Sequence, residues 1–326
     1  MERIRARVGP APSGVEVGIG DDAAVIQPDR GTLTVATTDT LVEGIHFDLA
    51  LGPPADAGHK ALAANLSDLA AMGAAPRTVL LALSLPGTCP IADVDALLDG
   101  LLALAAHHRT ALVGGDVTAS PGPIVIGITA LGSAKRRRLL TRDAARPGDV
   151  VWVSGTIGTA AAGLDALRAG GAATSGFPAC VERCRRPEPR VALGVALGRN
   201  RAAHACVDLS DGLADGVRQI ANASNVGIRI DAEALPIHSE ARAWFEAAGV
   251  DPVTAALAGG DDYELAFTAP PRLTGRLRHV RRQIGDVALT PIGVVTKEKD
   301  VRFSRAGREE PLPAGFVHFG AVPAAQ

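Results

Sequence analysis

The sequence predicts a fold that mixes α-helices and β-strands in two domains. Strand-like and helix-like patterns alternate over the first 130 residues and again beyond residue 150. The chain has 326 residues, 47% of them hydrophobic, which is enough for two cores at roughly 100–200 residues per domain. A basic stretch, Lys135–Arg138, leads into turn-forming residues at 145–149. We therefore predict domains at residues 1–135 and 136–326, in an α+β or α/β arrangement.

The elements of the first domain follow from the spacing of apolar residues. Leu62, Leu66, Leu69 and Met72 recur at intervals of three and four, which predicts a helix over Ala57–Met72. Runs rich in β-branched residues predict strands. The other predicted elements are a strand at Thr32–Thr38, a helix at Ala92–His107, and strands at Thr110–Val113 and Ile124–Leu131.

The second domain is predicted on the same grounds. Its most informative feature is a short strand that ends near residue 209 and is followed almost directly by a helix that begins near residue 212. The predicted strands are Val150–Ser154, Cys206–Leu209, Ala266–Thr268 and Ile292–Val295, and the predicted helices are Gly158–Ala169 and Gly212–Asn222.

Composition and charge exclude several classes of protein. A net charge of −2 disfavours a protein that coats nucleic acid or a membrane surface. Aromatic residues make up only 3%, which leaves few platforms for stacking on bases. No apolar run reaches the ~18–20 residues that cross a bilayer, and no apolar segment typical of a secretory signal follows the first residues. We expect a cytoplasmic protein that binds neither nucleic acid nor membrane.

The four cysteines are too few for a disulfide framework in a chain of this length. Cys180 and Cys184 are spaced like half of a zinc site, but no second pair follows, and His204 is twenty residues further on. Because zinc sites usually close with four nitrogen or sulfur ligands, we expect these cysteines to be half-buried thiols on one helical face.

Aspartates are the most informative residues of the sequence. Nine of them stand in six short motifs beside Gly, Ser or Thr: Asp21, Asp22, Asp39, Asp68, Asp116, Asp208, Asp211, Asp261 and Asp262. If they converged, they would repel one another unless compensated. Oxygen-only ligands select Mg²⁺ or Mn²⁺ over zinc, and protein-bound Mg²⁺ commonly completes its shell with phosphates. The pattern therefore indicates phosphoryl transfer from a nucleotide, by a kinase or by a phosphatase.

Each motif alone also has an ordinary structural explanation. Gly-Asp and Ser-Asp pairs are common in turns and helix N-caps. Ser210, for example, could simply cap the helix that begins near Gly212.

Known phosphate-binding motifs are missing from the sequence. It contains no P-loop and no protein-kinase set of Gly-rich loop, strand lysine and H-R-D. Gly18-x-Gly20 lacks the third glycine of a dinucleotide fingerprint. Metal ions, with one arginine, are therefore expected to neutralise the phosphates.

Taken together, the motifs resemble those of the thiamine-monophosphate kinase family, within the superfamily of aminoimidazole ribonucleotide synthetase and selenophosphate synthetase. The resemblance spans about residues 16–320. Its motifs are GIGDDAAVI (18–26), TTDTLVEGIHF (37–47), KALAANLSDLAAMGAAPR (60–77), GGDVT (114–118), LTRDAARPGD (140–149), RRPEPRVALG (185–194), DLSDGL (208–213) and GGDDYELAF (259–267).

The resemblance implies an enzyme that uses ATP and several Mg²⁺ ions to convert thiamine monophosphate to thiamine diphosphate, the last step in making that compound. It implies direct in-line transfer without a covalent nucleophile, since the acceptor phosphate is itself nucleophilic. The implied fold is that of aminoimidazole ribonucleotide synthetase. An N-terminal domain with a mixed sheet binds ATP and Mg²⁺ and pairs in a homodimer, and a C-terminal α/β domain completes the active site.

The resemblance also implies the roles of individual residues. The implied Mg²⁺ ligands are Asp22, Thr37, Thr38, Asp39, Asp68, Asp116, Asp208 and Asp211. The implied ATP contacts are Gly115, Asp116, Arg142 and Ser210, and the implied substrate contacts are His46, Asp261 and Phe316. Asp208, Asp211 and Arg142 are expected to carry catalysis by positioning metal and phosphate.

The chain departs from the family in three places. Its N-terminal lead is short and rich in arginine, Asp261 stands where Glu is commoner, and the residues His107–Arg109 replace an aromatic residue near the adenine.

Three alternatives remain open from the sequence. Another synthetase of the superfamily is one, although selenophosphate synthetase generally has a reactive Cys near the N-terminus and no cysteine precedes Cys89. A non-catalytic nucleotide-binding regulator is the second, and it would have lost ligand carboxylates that this chain retains. A Mg²⁺-dependent phosphatase is the third, and it would release phosphate without an acceptor.

Overall fold

The computed structural model describes residues 2–9 and 12–315. Helices pack against a four-stranded and a seven-stranded sheet, and a two-stranded hairpin lies near the N-terminus. Most strand pairs in both large sheets are antiparallel, so the mixed fold is α+β. Within the described residues, no helix is both long and apolar enough to span a membrane.

The first half of the chain forms three helices and six strands among its described residues. In order they are α1 (Glu2–Val8), β1 (Val15–Val17), β2 (Val25–Ile26), β3 (Leu33–Val42), α2 (Pro54–Ala71), β4 (Ala75–Pro86), α3 (Ile91–His107), β5 (Ala111–Ser120) and β6 (Val125–Ala134). Every strand and helix predicted here is present, and β4 is an additional strand that the sequence analysis missed.

The second half follows after a short 3₁₀ turn at Arg136–Arg138. Its elements are β7 (Val150–Ser154), α4 (Thr159–Ala169), α5 (Ala172–Gly176), α6 (Pro178–Arg185), α7 (Val191–Asn200), β8 (Cys206–Asp208), α8 (Leu213–Ser224), β9 (Gly227–Asp231), α9 (Ser239–Ala247), α10 (Pro252–Ala258), β10 (Leu265–Ala269), α11 (Thr274–Arg281), β11 (Leu289–Thr296), β12 (Val301–Arg305) and β13 (Arg308–Pro311). The predicted helices and strands of this half are all present.

The four-stranded sheet has the order β3-β6-β4-β5, with β3 and β5 at its two edges. Because side chains alternate along a strand, the sheet has two distinct faces. The inner face carries buried residues such as Leu41, Ile128 and Leu83 and packs against α2 and α3. The outer face carries exposed residues such as Thr38 and Ala82.

Helix α2 is buried along most of its length and lies between the two halves of the molecule. Gly58 allows close packing against α3, since a Cβ there would stand 1.9 Å from the carbonyl oxygen of Leu97. Gly194 of α7 fits against the other end of α2, with a Cβ position 1.9 Å from the carbonyl oxygen of Ala70. Polar residues on α2 can therefore contact both halves of the chain.

The seven-stranded sheet has the order β13-β12-β9-β11-β7-β10-β8, so β8 forms an edge. This edge strand contacts α2, and its last residue, Asp208, is buried at the junction of the two halves. The junction is where the candidate site is found. The boundary near residue 135 lies between the two large sheets, and we keep it as a proposal.

A buried ion-pair network lies where β10 begins. Glu264 is fully buried, and its carboxylate accepts hydrogen bonds from Arg190 Nε at 2.7 Å, Arg190 Nη2 at 2.5 Å and Ser154 Oγ at 2.6 Å. Arg183 Nη1 stands 3.4 Å from the same carboxylate. This network joins α6, the segment before α7, β7 and β10, and its side chains form no hydrogen bond or ion pair with those predicted site residues that the structure describes.

Candidate functional site

Four of the nine aspartates converge at the junction of the two halves. We call Asp39, Asp68, Asp208 and Asp211 the aspartate cluster. Asp39 comes from β3, Asp68 from α2, and the other two from the end of β8 and the loop that follows it. Asp39 feels the negative charges of Asp68 and Asp211, and Asp208 feels those of Asp68 and Asp39. The predicted convergence is therefore partly realised within one chain.

Hydroxyl groups hold two of these carboxylates in place. Thr37 precedes Asp39 by two residues on β3, so both side chains face α2, and the Thr37 hydroxyl donates to an oxygen of Asp68. Ser67 Oγ donates to Asp208 Oδ2 at 2.8 Å, which joins the two halves of the chain.

Ser210 is not used as a helix cap. Helix α8 has Gly212 at its N-cap position, with a φ of 97° and no side-chain hydrogen bond capping the helix. The ordinary structural explanation considered for Ser210 is therefore wrong. A positive φ at this position favours glycine, and a Cβ there would stand 2.9 Å from the carbonyl oxygen of Ala258.

Burial and the charges of neighbouring aspartates raise the pKa values of Asp39 and Asp208. Burial, followed by the charges of Asp68 and Asp211, raises the pKa of Asp39 to about 6. Burial, followed by the charge of Asp68, raises the pKa of Asp208 to about 7, although the Ser67 hydrogen bond opposes the shift. Burial also raises the pKa of Asp68. A site of buried, mutually repelling carboxylates is one in which a bound cation relieves repulsion.

The donor set fits Mg²⁺ better than a softer metal. All of the candidate ligand atoms are oxygens, which suits Mg²⁺ or Mn²⁺. Among the described residues, only Cys180, His238 and Glu240 bring three potential ligand atoms within 4.8 Å of one another. The carboxylate oxygens of the aspartate cluster are thus spread more widely than 4.8 Å, so that a cation held by one or two of them would keep positions open for other oxygen ligands.

The group of Cys180, His238 and Glu240 has a structural explanation. His238 Nδ1 accepts from the Glu240 N–H at 3.2 Å, and Glu240 Oε2 accepts from the Ala179 N–H at 2.9 Å. These bonds cap α9 and α6. Cys180 and Cys184 both lie on α6 and are fully buried rather than half-buried, and burial raises the pKa of Cys180 to about 12. Neither thiol is poised to bind zinc as a thiolate.

Arg142 faces the aspartate cluster, although it is exposed. Its positive charge lowers the pKa of both Asp68 and Asp208. The segment that carries Arg142 runs beside β8, where the Cys206 N–H donates to the carbonyl of Thr141 at 3.0 Å. Arg142, which is predicted to bind phosphate, therefore lies close enough to act electrostatically on Asp68 and Asp208.

A second group of predicted ligands lies elsewhere on the first domain. Gly115 and Asp116 belong to edge strand β5, and Asp22 follows β1 in an exposed segment. Thr40, Gly127, Ala82 and Asp116 are paired in one row across the sheet, so Asp116 shares the outer face.

Asp116 therefore lies far from the aspartate cluster within one chain. Asp39 faces inward from β3, whereas Asp116 faces outward from β5, three strand spacings or about 14 Å away. Thr38 also faces outward, and its hydroxyl donates to the carbonyl of Ile128 at 3.0 Å. The Thr38 side chain is therefore not brought together with the aspartate cluster within one chain.

The predicted substrate contacts His46 and Asp261 are brought together by a residue that sequence analysis missed. Lys60 of α2 donates to the His46 carbonyl at 2.9 Å and to Asp261 Oδ2 at 2.8 Å. A cavity of about 60 Å³ beside them is lined by apolar side chains together with the polar or charged residues His46, Asp48, Asp56, Lys60 and Arg185. The signal for Lys60 was its position at the start of the 60–77 motif. Phe316 lies outside the described residues.

Asp262 has a structural role. It is buried and accepts from the backbone N–H groups of Gly158 at 2.6 Å and Ala160 at 3.0 Å, at the start of α4. Burial raises the pKa of Asp262 to about 7. Its neighbour in the sequence, Asp261, points instead to the site.

We expect the metal-free protein to show a distinctive pH dependence of stability. The raised pKa values of Asp39 and Asp208 mean that the native state keeps protons that the unfolded state releases between pH ~4 and ~7. The contribution of Asp39 and Asp208 to the free energy of unfolding therefore falls as the pH rises through this window. His59 and His108 contribute with the opposite sign, because their pKa values are lowered.

The contribution of Asp208 is isolated by comparing wild type with Asp208→Asn in EDTA. Thermal melts from pH 4.5 to 8 should show the variant gaining stability relative to wild type as the pH rises. Parallel curves would contradict the raised pKa of Asp208.

Two family descriptions match the chain. Residues 20–134 match AIR synthase related protein, N-terminal domain, and residues 146–305 match AIR synthase related protein, C-terminal domain. The aspartate cluster draws on both matched segments.

Individual proteins are similar over nearly the whole chain. The thiamine-monophosphate kinase of Escherichia coli (strain K12) is 41% identical over 98% of this chain and 97% of that protein. The crystal structure of thiamine-monophosphate kinase from Stenotrophomonas maltophilia K279a is 42% identical, with a TM-score of 0.83 over 93% of this chain and 94% of that chain. AaThiL complexed with AMPPCP and TMP is 31% identical, with a TM-score of 0.79 over 90% of this chain and 89% of that chain.

Proposed function

The chain belongs to the AIR synthase related family and, within it, to the thiamine-monophosphate kinases, and we propose that Mg²⁺ and a second copy of the chain complete its active site. It transfers a phosphoryl group from ATP to thiamine monophosphate, forming thiamine diphosphate and ADP. The observation that carries this conclusion is 41% identity over nearly the whole chain to an enzyme named for this reaction. We propose that the reaction is the last step in making thiamine diphosphate.

The residues of the site supply positioning and charge rather than a nucleophile. The acceptor phosphate already offers an anionic oxygen, so the obstacle is repulsion between two phosphates. At 4 Å, two unit charges repel by about 4 kcal/mol at an effective dielectric near 20. Mg²⁺ held by Asp39, Asp68 and Asp208 would neutralise and bridge the phosphates. Arg142 would hold a phosphate through two parallel hydrogen bonds.

A homodimer would bring the aspartate cluster of one subunit close to Asp22 and Asp116 of the other. Asp116 cannot reach the aspartate cluster of its own chain, because it lies on the opposite edge and face of the sheet. Asp22 lies two residues before Ala24, which stands beside Gly114 on the same edge strand as Asp116. Small residues on the outer face, such as Ala82 and Gly127, would allow a second sheet to approach. We propose that β5 of one subunit lies beside β3 of the other and that the partner subunit's Asp116 completes the site.

Complementation tests this shared site. Asp116→Asn and Asp208→Asn should each be inactive, but an equal mixture that has exchanged subunits should recover about one quarter of wild-type activity. Half of the dimers would then be mixed, and each mixed dimer would hold one intact site of two. If the mixture stays inactive although differently tagged subunits show that exchange has taken place, the whole site lies in one chain.

Mg²⁺ and ATP together should stabilise the protein more than the sum of their separate effects. The aspartates repel until a cation binds, and the phosphates of ATP complete the shell of that cation. Ligand binding to the native state stabilises by about 2.7 kcal/mol at a hundredfold excess over Kd. Thermal melts with each ligand and with both are the measurement. Strictly additive shifts would argue against a shared metal–nucleotide site.

An acceptor assay tests the proposed reaction. With ATP and Mg²⁺, thiamine monophosphate should yield one ADP per thiamine diphosphate. Free thiamine should be a poor acceptor, because it lacks the phosphate that the site positions and that attacks ATP. Equal turnover of thiamine, or phosphate release without diphosphate, would contradict the proposal.

The cytoplasm is the proposed compartment. All four cysteines are free, and three of them are buried. Unpaired buried thiols are typical of reducing compartments.

A further inference from the structure

Lys60 is a buried lysine that joins the two halves of the chain. It lies on α2, and its side chain is only 8% exposed. Its ammonium group donates to the carbonyl oxygen of His46, in the turn after β3, at 2.9 Å. It also donates to Asp261 Oδ2, in the loop before β10, at 2.8 Å. One side chain thus ties together two segments more than 200 residues apart in sequence.

The ammonium group stays charged despite its burial. Burial alone would lower the pKa of Lys60, but the adjacent Asp261 carboxylate outweighs this effect and raises it above the usual value. Removing one partner of such a buried pair leaves the other charge without compensation. Lys60 and Asp261 therefore form a unit in which each fixes the position of the other.

The loop that carries Asp261 needs such an anchor. Asp261 has a φ of 65° and Tyr263 a φ of 50°, both in the left-handed region that non-glycine residues seldom adopt. The Asp261 N–H donates to the carbonyl of Ser210 at 2.7 Å, so the loop also adjoins the end of the aspartate cluster. Strained residues of this kind persist where their surroundings hold them in place.

Lys60 holds Asp261 in place without covering its whole carboxylate. Asp261 remains 38% exposed on its side chain, so its carboxylate can contact a ligand while Lys60 holds one oxygen. The His46 ring is oriented by its own turn, since its Nδ1 accepts from the Val42 N–H at 3.0 Å. Lys60 contacts this turn through the backbone carbonyl of His46.

We propose that Lys60 is the positioning residue for thiamine monophosphate, because it fixes the distance between the His46 turn and the Asp261 carboxylate across the two halves of the chain. This inference rests on the proposed substrate roles of His46 and Asp261. Lys60 acts through these two residues rather than on the transferred phosphoryl group. Its loss should therefore weaken binding of thiamine monophosphate and leave binding of ATP nearly unchanged.

Lys60→Met is the variant of choice, because methionine keeps an unbranched apolar stem and removes the charge. We expect KM for thiamine monophosphate to rise about tenfold or more, as for the loss of a hydrogen bond to a charged group. KM for ATP should stay within about twofold of wild type. Lys299→Met, which alters an exposed lysine far from the junction, is the matched control and should change neither constant.

A double variant separates positioning from folding. Lys60→Met alone leaves the Asp261 carboxylate without its charged partner and should lower Tm. Lys60→Met combined with Asp261→Asn removes both charges and should restore most of the lost Tm. The double variant tests folding only, because Asp261→Asn itself removes a proposed contact with thiamine monophosphate. An unchanged KM for thiamine monophosphate in Lys60→Met, or equal rises in KM for both substrates, would overturn the proposal.

Calorimetric titration with thiamine monophosphate distinguishes this inference from the proposed reaction. Wild type that binds thiamine monophosphate but does not phosphorylate it would refute the reaction and leave the binding test in force. A Kd for Lys60→Met that is raised about tenfold or more supports the positioning role. An unchanged Kd overturns it, whether or not wild type turns over.

Discussion

Asp208→Asn should lower kcat at least about 100-fold while leaving the metal-free protein folded. Asp208 lies at the centre of the aspartate cluster, fully buried and hydrogen-bonded to Ser67. Asparagine keeps the shape and can still accept the Ser67 hydrogen bond, but it removes the negative charge with which Asp208 would hold Mg²⁺. The metal-free variant should be at least as stable as wild type at pH 7.5, because ionising a buried carboxylate whose pKa is raised to about 7 destabilises the fold.

The control for this variant is Asp286→Asn, which alters an exposed aspartate outside the cluster. Steady-state kinetics at saturating Mg²⁺ and thermal melts in EDTA should be run on both. The combination of lost activity and retained or higher metal-free stability is the expected signature of a ligand site. Near-normal kcat for Asp208→Asn would show that its carboxylate is not a required ligand.

Glu264→Ala should destabilise the protein by about 3–5 kcal/mol, the range for removing one partner of a buried ion pair. Arg190 is 7% exposed on its side chain and would lose its main partner, and Ser154 would lose its acceptor. The network does not touch the aspartate cluster, so residual folded protein should keep a near-normal KM for both substrates. Urea unfolding followed by circular dichroism measures the free energy of unfolding.

Asp300→Ala is the matched control for Glu264→Ala. Asp300 is 42% exposed and pairs with Arg302 and Arg229, which are 44% and 22% exposed, and exposed pairs contribute less than about 1 kcal/mol each. Replacing both members of the buried pair, with Arg190→Met and Glu264→Leu, should destabilise less than Glu264→Ala alone, because no charge is stranded. A loss below about 1 kcal/mol for Glu264→Ala would show that water reaches the network after substitution.

Local sequence patterns predicted the elements well where an apolar period was clear. The spacing of Leu62, Leu66 and Leu69 predicted α2, and the structure places all three in the core. Strand β4 was missed because Val79–Leu83 is apolar throughout, so the sequence shows no alternation of apolar and polar residues there. Such a run does not distinguish a buried strand from part of a helix.

The candidate site was only partly accessible from sequence. Short motifs predicted which aspartates supply oxygen ligands. They do not show on which edge or which face of the sheet each aspartate lies. The separation of Asp116 from Asp39 follows from the strand order β3-β6-β4-β5, which is set by long-range pairing. The same limit hid the Lys60–Asp261 pair, whose partners are 201 residues apart, and the role of Asp262 as a helix cap.

The most direct test of the account is a ³¹P NMR time course of the protein with ATP, Mg²⁺ and thiamine monophosphate. We expect the monophosphate resonance to be replaced by the two coupled resonances of thiamine diphosphate, with ADP formed in equal amount and no inorganic phosphate. The same spectra recorded with Asp208→Asn should show no conversion over the same period. Accumulation of inorganic phosphate without the diphosphate, or an unchanged spectrum with wild type, would contradict the assignment of this site to phosphoryl transfer onto thiamine monophosphate.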